Sequence, residues 1–271
     1  MNLTIKTIFL IIIILGSIGL SFSIAQNNTE NKPGKTKGDE GNKKKNTDRR
    51  QQDEFDQTGF NIGIDAAVNG TFIIHQQTYG MSRLMPYSPS IRFATGIKMG
   101  YNFDESEGIV IGFGYCGAGQ NYHDNLDGEA YTKSVKMNYL QVPIMFKYIF
   151  NTDNSQTYAM AGLQMGVMSS SSVIINGITR MANDTSMKQI KSTSSSFFVN
   201  KDLGFRLEFG DDFMLSDNLY FNAGIEAYIG LPDINNPDLR HEVFFHANKY
   251  SYKKSSNFIT GIVVGIHYMI K

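Results

Sequence analysis

The 271-residue sequence lacks several features that define common classes of protein. It has a single cysteine, Cys116, which excludes an internal disulfide, a cysteine-rich zinc site and a cysteine-bound iron–sulfur cluster. It has no net charge, with 25 basic and 25 acidic residues, whereas nucleic-acid binders usually carry a strong basic excess. Only one segment approaches a continuous apolar run, and a helical protein with several spans needs about 20 mostly apolar residues for each. Such a protein is therefore excluded, and nucleic acid is not an expected partner.

The one apolar run lies at the N-terminus and has the pattern of a secretory signal peptide. Lys6 supplies the basic start, residues 8–20 are almost wholly apolar, and residues 23–25 form a small-x-small cleavage pattern. We expect a signal peptide over residues 1–25, cleaved after Ala25. A retained membrane anchor is the alternative, which the shortness of the run disfavours.

Residues 26–58 are polar and charged, with almost no apolar residue before Phe55. Such a segment buries too little surface to offset the entropy of ordering it, so we expect a disordered periplasmic linker. A basic cluster lies within it, at Lys43–Lys45 and Arg49–Arg50. We interpret the cluster as part of a solvated linker; the alternative is an arm that contacts an anionic partner.

From Gly59 onward, apolar side chains recur at every second position. Successive side chains of a strand point to opposite faces, so this alternation predicts strands with one apolar face. The alternation appears in eight windows, at residues 60–68, 91–103, 109–116, 140–148, 159–167, 203–209, 219–229 and 258–270. Just before the fourth window, Lys136 and Asn138 are even-numbered like its apolar residues, so two polar side chains fall on the apolar face. We therefore expect the upper end of that strand to leave the apolar zone or to carry a β-bulge.

The composition of the two faces predicts which of them meets lipid. One face is bulky and apolar, and the other holds charged residues and many glycines. Eight strands enclose room only for side chains, which suits a polar, filled interior and an apolar exterior. Aromatic residues near the predicted strand ends fit the girdles of a membrane barrel. They are Tyr101, Phe103, Tyr148, Phe150, Phe209, Phe258 and Tyr268.

The connections between the windows alternate in length. Short ones at residues 104–107, 151–156 and 210–218 alternate with long ones at residues 76–90, 118–134, 169–197 and 232–257. Membrane barrels have short periplasmic turns and long external loops, so both ends of the domain are expected in the periplasm. The sequence thus predicts an all-β fold over residues 59–271, an eight-stranded antiparallel up-and-down transmembrane β-barrel surrounded by outer-membrane lipid. A soluble lipocalin-like barrel is the alternative.

Charged residues on the predicted inner face form one candidate site. They are Asp65, Arg92, Lys98, Asp202, Arg206, Glu208 and Glu226. Buried charges must be paired or hydrogen-bonded, so we interpret this set as a structural salt-bridge network that closes the lumen. An ion path lined by both signs of charge is the alternative.

The last long loop supplies a second candidate, a binding surface of aromatic and histidine side chains. Its members are His241, Phe244, Phe245, Tyr250 and Tyr252. The same side chains could equally pack together as a lid.

The remaining motifs do not support catalysis or cofactor binding. Residues 112–117 match G-x-G-x-x-G, but the helical pattern that a nucleotide site needs does not follow. His267 lacks a recognisable nucleophile and base arrangement, and the five histidines show no metal-ligand spacing. We therefore expect no catalytic, cofactor or metal site.

One predicted strand resembles a known family. Residues 139–148 read Tyr-Leu-Gln-Val-Pro-Ile-Met-Phe-Lys-Tyr and resemble the Tyr-Leu-x-hydrophobic-Pro-x3-Lys-Tyr strand of the PorT-like outer-membrane β-barrel family of Bacteroidetes. Residues 69–73, 100–103, 119–122 and 228–234 are similar to its other recurring segments. The resemblance spans residues 59–271 and implies an eight-stranded barrel in the outer membrane. Most members have no known activity, and PorT itself is associated with type IX secretion.

These observations lead to an ordered set of functional hypotheses. The first is a non-enzymatic outer-membrane barrel that acts as an anchor or interaction module, through its external loops or its periplasmic linker. Its expected partner, besides lipid, is a periplasmic or surface protein. The alternatives are a type IX secretion accessory component, a narrow porin-like channel and a lipid-modifying outer-membrane enzyme.

Overall fold

The computed structural model describes residues 58–75, 86–126, 129–151, 156–176, 178–181, 184–187, 190–192, 198–237 and 254–270. The predicted signal peptide and all of the predicted linker except Thr58 lie outside the described residues. So do the five candidate loop residues, His241, Phe244, Phe245, Tyr250 and Tyr252. No helix among the described residues is long and apolar enough to cross a bilayer.

The described chain is built from β-strands. They are β1 (Gly59–Ile74), β2 (Tyr87–Ser88), β3 (Ile91–Asn102), β4 (Glu107–Leu126), β5 (Glu129–Asn151), β6 (Gln156–Asn176), β7 (Ile178–Met181), β8 (Asp184–Met187), β9 (Ile190–Ser192), β10 (Lys201–Ser216), β11 (Leu219–Gly230) and β12 (Ser256–Ile270). Short strands β7 and β8 form a separate two-stranded sheet. Strands β2 and β9 pair with the upper parts of β4 and β6.

The eight long strands form a closed antiparallel barrel. Their order is β10-β11-β12-β1-β3-β4-β5-β6, and β6 pairs with β10 to complete the ring. The first and last strands are neighbours, with Phe60 opposite Ile270. We call the end with the short connections β3–β4, β5–β6 and β10–β11 the lower end, and the opposite end the upper end. The predicted all-β, eight-stranded antiparallel barrel is confirmed.

The register fixes the slope of the strands. Paired residues can be followed once around the barrel through Gly166, Gln141, Gly114, Gly96, Asp65, Gly265, Asn222, Asp212 and Gln156. The path returns to β6 ten residues below its start, from Gly166 to Gln156. A stagger of this size in eight strands corresponds to a strand tilt of about 40°.

The apolar face points outward. Side chains such as Phe93 (69% exposed) and Ile64 (66%) cover the outer wall, while the alternate residues are buried in the lumen. Aromatic rings gather at the lower end. The ring centroids of Tyr101 and Phe60 are 4.7 Å apart, and so are those of Tyr148 and Phe150. An apolar exterior edged with aromatic rings is the surface of a barrel in lipid.

The strands extend further than the alternation predicts. Strands β4 and β5 remain paired as far as Leu126 and Glu129, so the predicted long loop over residues 118–134 is wrong. This part lies above the apolar band, where polar residues occupy both faces and the apolar alternation ends. The connection from β10 to β11 is also shorter than predicted, because β10 continues to Ser216 and only two residues separate the strands.

The expected irregularity beside Asn138 is present, and it lies on the neighbouring strand. Asn138 pairs with Ser170 and Tyr139 with Met168, which leaves Ser169 as an extra residue in β6. Above this bulge the odd-numbered residues of β6 face inward, as the buried Val173 shows, whereas below it the even-numbered ones do. Lys136 is exposed on the outer face of β5. The strand therefore both leaves the apolar zone and lies against a bulge.

Deleting Ser169 should destabilise the barrel by about 2 kcal/mol, because it forces the upper part of β6 to point Val173 outward or to lose its pairing with β5. The apparent melting temperature of the folded band in heat-modifiable electrophoresis measures this loss. Ser169→Ala is the matched control, since it keeps the residue count and loses only the 3.1 Å bond from the Ser169 hydroxyl to the Asn138 carbonyl. Equal effects of the deletion and the substitution would contradict the prediction.

Candidate functional site

The inner face of the barrel carries a cluster of five charged side chains, contributed by four strands. Asp65 comes from β1, Lys98 from β3, Arg206 and Glu208 from β10, and Glu226 from β11. All five belong to the predicted inner set. We call them the lumen cluster.

Lys98 lies between two carboxylates. Its Nζ is 3.2 Å from Oδ1 of Asp65 and 2.9 Å and 3.0 Å from the two carboxylate oxygens of Glu208. The Glu208 side chain has no solvent exposure, and that of Lys98 is 7% exposed. A buried ammonium is stable only when it is paired and hydrogen-bonded, and Lys98 meets that condition on both sides.

Arg206 joins the cluster to its third carboxylate. Its Nη2 donates to Glu226 and lies 3.5 Å from Glu208, while its Nη1 donates to the amide oxygen of Gln164 at 3.0 Å. Two cations and three carboxylates are thus held together, which gives the lumen cluster a formal charge of −1.

Asn222 and His267 complete the surroundings of Asp65. Asn222 donates to its Oδ1 at 3.3 Å, and Nε2 of His267 lies 3.4 Å from the same atom. The His267 ring stacks on Tyr220 with a centroid separation of 5.0 Å. A Cβ on Gly63 would lie 2.3 Å from Nδ1 of that ring, so the neighbouring strand needs glycine at this position.

A second ion pair lies below the cluster and was missed from the sequence. Lys147 on β5 contacts Asp212 on β10, with 2.7 Å between Nζ and Oδ2. Its Nζ also lies 5.0 Å from the ring centroid of Tyr158, whose hydroxyl donates to Glu208 at 3.0 Å. The predicted strand ends at Phe209, which leaves Asp212 in a turn. Phe213 has the parity of Phe209 and was the available signal, but Asp211 between them interrupts the apolar set.

Two of the predicted residues lie outside the lumen cluster. Arg92 stands six residues above Lys98 on β3, about 20 Å away, and its Nη1 donates to the Ile91 carbonyl. It forms no ion pair with any described residue. Asp202 lies four residues above Arg206 on β10 and accepts a hydrogen bond from Asn257 at 2.8 Å. Their expected pairing with the cluster is wrong because alternation gives the face of a residue and not its height.

The glycine motif at residues 112–117 lies within β4 and precedes further strand. A Cβ on Gly112 would meet the Pro143 ring at 2.9 Å, and one on Gly114 would meet the Gly96 Cα at 2.9 Å. The glycines therefore permit close packing of neighbouring strands. Among the described residues, no group of three or more His, Cys, Asp or Glu side chains is arranged to hold a metal.

Lys133 is a buried amine above the apolar band, in the β4–β5 hairpin. Burial lowers its pKa from 10.5 to about 8, and its Nζ lies 5.9 Å from the Tyr122 ring centroid. Between about pH 8 and pH 10.5, the unfolded hairpin therefore binds more protons at this site than the folded one does. The contribution of Lys133 to folding stability rises with pH across that window.

We therefore predict that the opening free energy of the β4–β5 hairpin increases from pH 8 to pH 10 in the wild type and stays flatter in Lys133→Met. Hydrogen exchange of the hairpin amides, corrected for the intrinsic pH dependence of exchange, measures it. The same slope in both proteins would contradict the assigned role of Lys133.

Charge balance in the lumen cluster gives another prediction. Arg206→Met leaves one cation with three carboxylates and should cost about 3–5 kcal/mol. Glu226→Gln leaves two cations with two carboxylates and should cost clearly less. Urea titration of the refolded barrel in micelles, read by gel mobility, compares the two variants. A cost for Glu226→Gln equal to that of Arg206→Met would show that charge balance does not govern this cluster.

Comparison with known proteins places the barrel in a family. The sequence matches the family model for the outer membrane protein beta-barrel domain over residues 18–236. No curated protein matches the chain. Among solved structures, Neisserial surface protein A is 12% identical, covering 79% of this chain and 98% of its own, with a TM-score of 0.41. OprG from Pseudomonas aeruginosa is 12% identical over 78% of this chain and 96% of its own, with a TM-score of 0.39. Ail from Yersinia pestis is 11% identical over 78% of this chain and 98% of its own, with a TM-score of 0.36.

The family model covers more than half of the chain, and the strands of the chain close into an eight-stranded barrel. The protein therefore belongs to the outer membrane protein beta-barrel domain family and is an outer-membrane β-barrel protein.

Proposed function

We propose that this protein is a non-enzymatic barrel with a closed lumen, which anchors an interaction surface in the outer membrane. The observation that carries the proposal is the position of Glu208. Its side chain is fully buried, and its carboxylate contacts Lys98, Arg206 and Tyr158 from three strands. These contacts reach across the lumen, from β3 and β6 to β10.

The space that remains next to the lumen cluster is small. A cavity of about 30 Å³ is lined by residues that include Asp65, Lys98 and Glu226. That volume has room for a few water molecules at most. A hydrated ion would have to break paired charges to pass, which costs several kcal/mol for each pair.

The upper mouth supplies a second closure. Phe198 and Ile234 are buried with the apolar residues at the upper end of the lumen. The Val199 N–H donates to the Ile234 carbonyl at 2.8 Å, and the Ile234 N–H donates to the Ser255 carbonyl at 3.0 Å. Asp233 accepts hydrogen bonds from the backbone N–H groups of Asn235 and Ser255. Phe198 and Ile234 are therefore held among the apolar side chains at the upper end of the lumen.

The chemistry of the lumen supports a role without catalysis. The buried carboxylates and amines of the lumen cluster are engaged with one another, and Cys116 is buried. A nucleophilic mechanism requires a nucleophile and base within hydrogen-bonding distance of each other and open to substrate.

The upper end offers surface for a partner. Strands β4 and β5 continue as a paired hairpin well beyond the apolar band, to Leu126 and Glu129. A rigid hairpin presents side chains at lower entropic cost than a mobile loop. In this proposal the cleaved signal peptide delivers the barrel to the outer membrane, and its partner is a periplasmic or surface protein.

Planar-bilayer recording tests the closed lumen. The wild type should show no large, steady channels. Arg206→Ala should lower stability without opening a conductance, because the buried apolar cluster that includes Phe198 and Ile234 still fills the upper part of the lumen. Large, steady wild-type channels would overturn the closed-barrel proposal and favour the narrow porin-like alternative.

Cross-linking and affinity purification from outer membranes, with and without residues 26–58, tests the interaction role.

The resemblance of residues 139–148 to the PorT-like strand supports a second candidate, an accessory role in type IX secretion. These residues form the lower half of β5, with the Pro143 ring against Gly112 in the barrel wall. Deletion of the gene followed by proteomics of the secreted fraction tests it. A secretion defect would favour this role, and an unchanged set of secreted proteins would reject it.

A further inference from the structure

The outer surface of the barrel carries opposite charges at its two ends. The outward charged residues at the lower end are Asp104, Glu105, Glu107, Asp211 and Asp217, and in the described part of that end no lysine or arginine points outward. Among the upper-end residues whose side-chain burial the structure describes, Lys136, Lys201 and Lys254 are the exposed charged ones, and the carboxylates of Asp202 and Asp233 are buried or half-buried. The two ends therefore suit surroundings of different charge.

Two of these lysines lie on one side of the barrel, in a polar area spread over three adjacent strands. Its members are Lys136 and Asn138 on β5, Ser169 and Ser170 on β6, and Lys201 on β10. Val167 pairs with both Leu140 and Lys201, which sets the height of Lys201 relative to β5 and β6. We call these five residues the upper basic patch.

The upper basic patch begins where the apolar band ends. Directly below it are Leu140, Val167 and Leu203, which are 40% to 56% exposed on the outer wall. Short turns of outer-membrane barrels face the periplasm, so the upper end lies in the external leaflet. The patch is therefore at the height of the lipid headgroups on that side.

The bulge turns hydrogen-bonding groups toward this layer. Ser169 and Ser170 are both exposed, since the extra residue interrupts the inward–outward alternation of β6. The Ser170 hydroxyl accepts a bond from Asn138 Nδ2 at 2.9 Å, which leaves its own proton available to donate. Lys136 and Lys201 stand on the two strands that flank the strand of Ser170, and ammonium and hydroxyl donors are the groups that bind a phosphate.

We propose that the upper basic patch binds the phosphate groups of an anionic glycolipid in the external leaflet. Each basic residue near a charged membrane surface adds about 1 kcal/mol of attraction. The acidic lower end does not offer this attraction, so the barrel interacts differently with its two leaflets. This inference rests on the position of the barrel in the membrane and is independent of whether the lumen conducts.

Native mass spectrometry of the full-length protein in detergent, titrated with bisphosphorylated lipid A, tests the proposal. The double variant Lys136→Glu/Lys201→Glu should retain the lipid about tenfold less tightly than the wild type. Lys254→Glu is the control, because it makes the charge change of one of these two substitutions at the upper end, away from the patch. Its affinity should stay within about twofold of the wild type.

The form of the lipid and the fold of the variants are controlled separately. Removing both phosphates from the lipid should weaken wild-type binding to the level of the double variant. Equal binding with and without phosphates, or by the double variant and the wild type, would overturn the proposal. Competition by inorganic phosphate at the lipid's own concentration would also overturn it, in favour of a site for free anions. Heat-modifiable gel mobility shows whether each variant folds. If the charge-reversed double variant does not fold, Lys136→Gln/Lys201→Gln is used in its place.

Discussion

An eight-stranded barrel has an interior about as wide as the side chains that fill it, so a charge that points inward has little water to face. Glu208 is the centre of this protein's response to that constraint. Its carboxylate meets Lys98 from β3, Arg206 from its own strand and the Tyr158 hydroxyl from β6. Lys98 and Arg206 then extend the contacts to Asp65 on β1 and Glu226 on β11. The contacts that pair the buried charges therefore also join strands from opposite sides of the barrel.

The sequence predicts much of this arrangement but not the choice of partners. Alternation places Lys98 and Glu208 on one face, although they are 110 residues apart in the chain. Whether they meet depends on the stagger of the strands, which no local pattern records. Arg92 satisfies the same alternation and lies too high on β3 to join the cluster. Asp212 lies on the same inner face and was missed, because its strand continues below the apolar band.

The β4–β5 hairpin shows a related limit. Residues 118–134 have the polar composition of a loop, yet all the described residues in that range are paired in a regular ladder. Apolar alternation marks a strand that has lipid on one side and a filled lumen on the other. Above the lipid that contrast disappears, while the backbone hydrogen bonds of the hairpin persist. A strand in water is therefore less visible in the sequence than a strand in a membrane.

The pairing of β1 with β12 has a consequence for how the protein is made. It joins Phe60 to Ile270, so the contact that seals the wall has the largest sequence separation in the barrel. Contacts between distant residues form slowly, because a long stretch of chain must be ordered first. Until the last strand has been synthesised, β1 keeps an unpaired edge that can associate with other chains. The polypeptide must therefore be kept soluble during its transit, and its insertion into the membrane can be completed only after translation of the whole barrel.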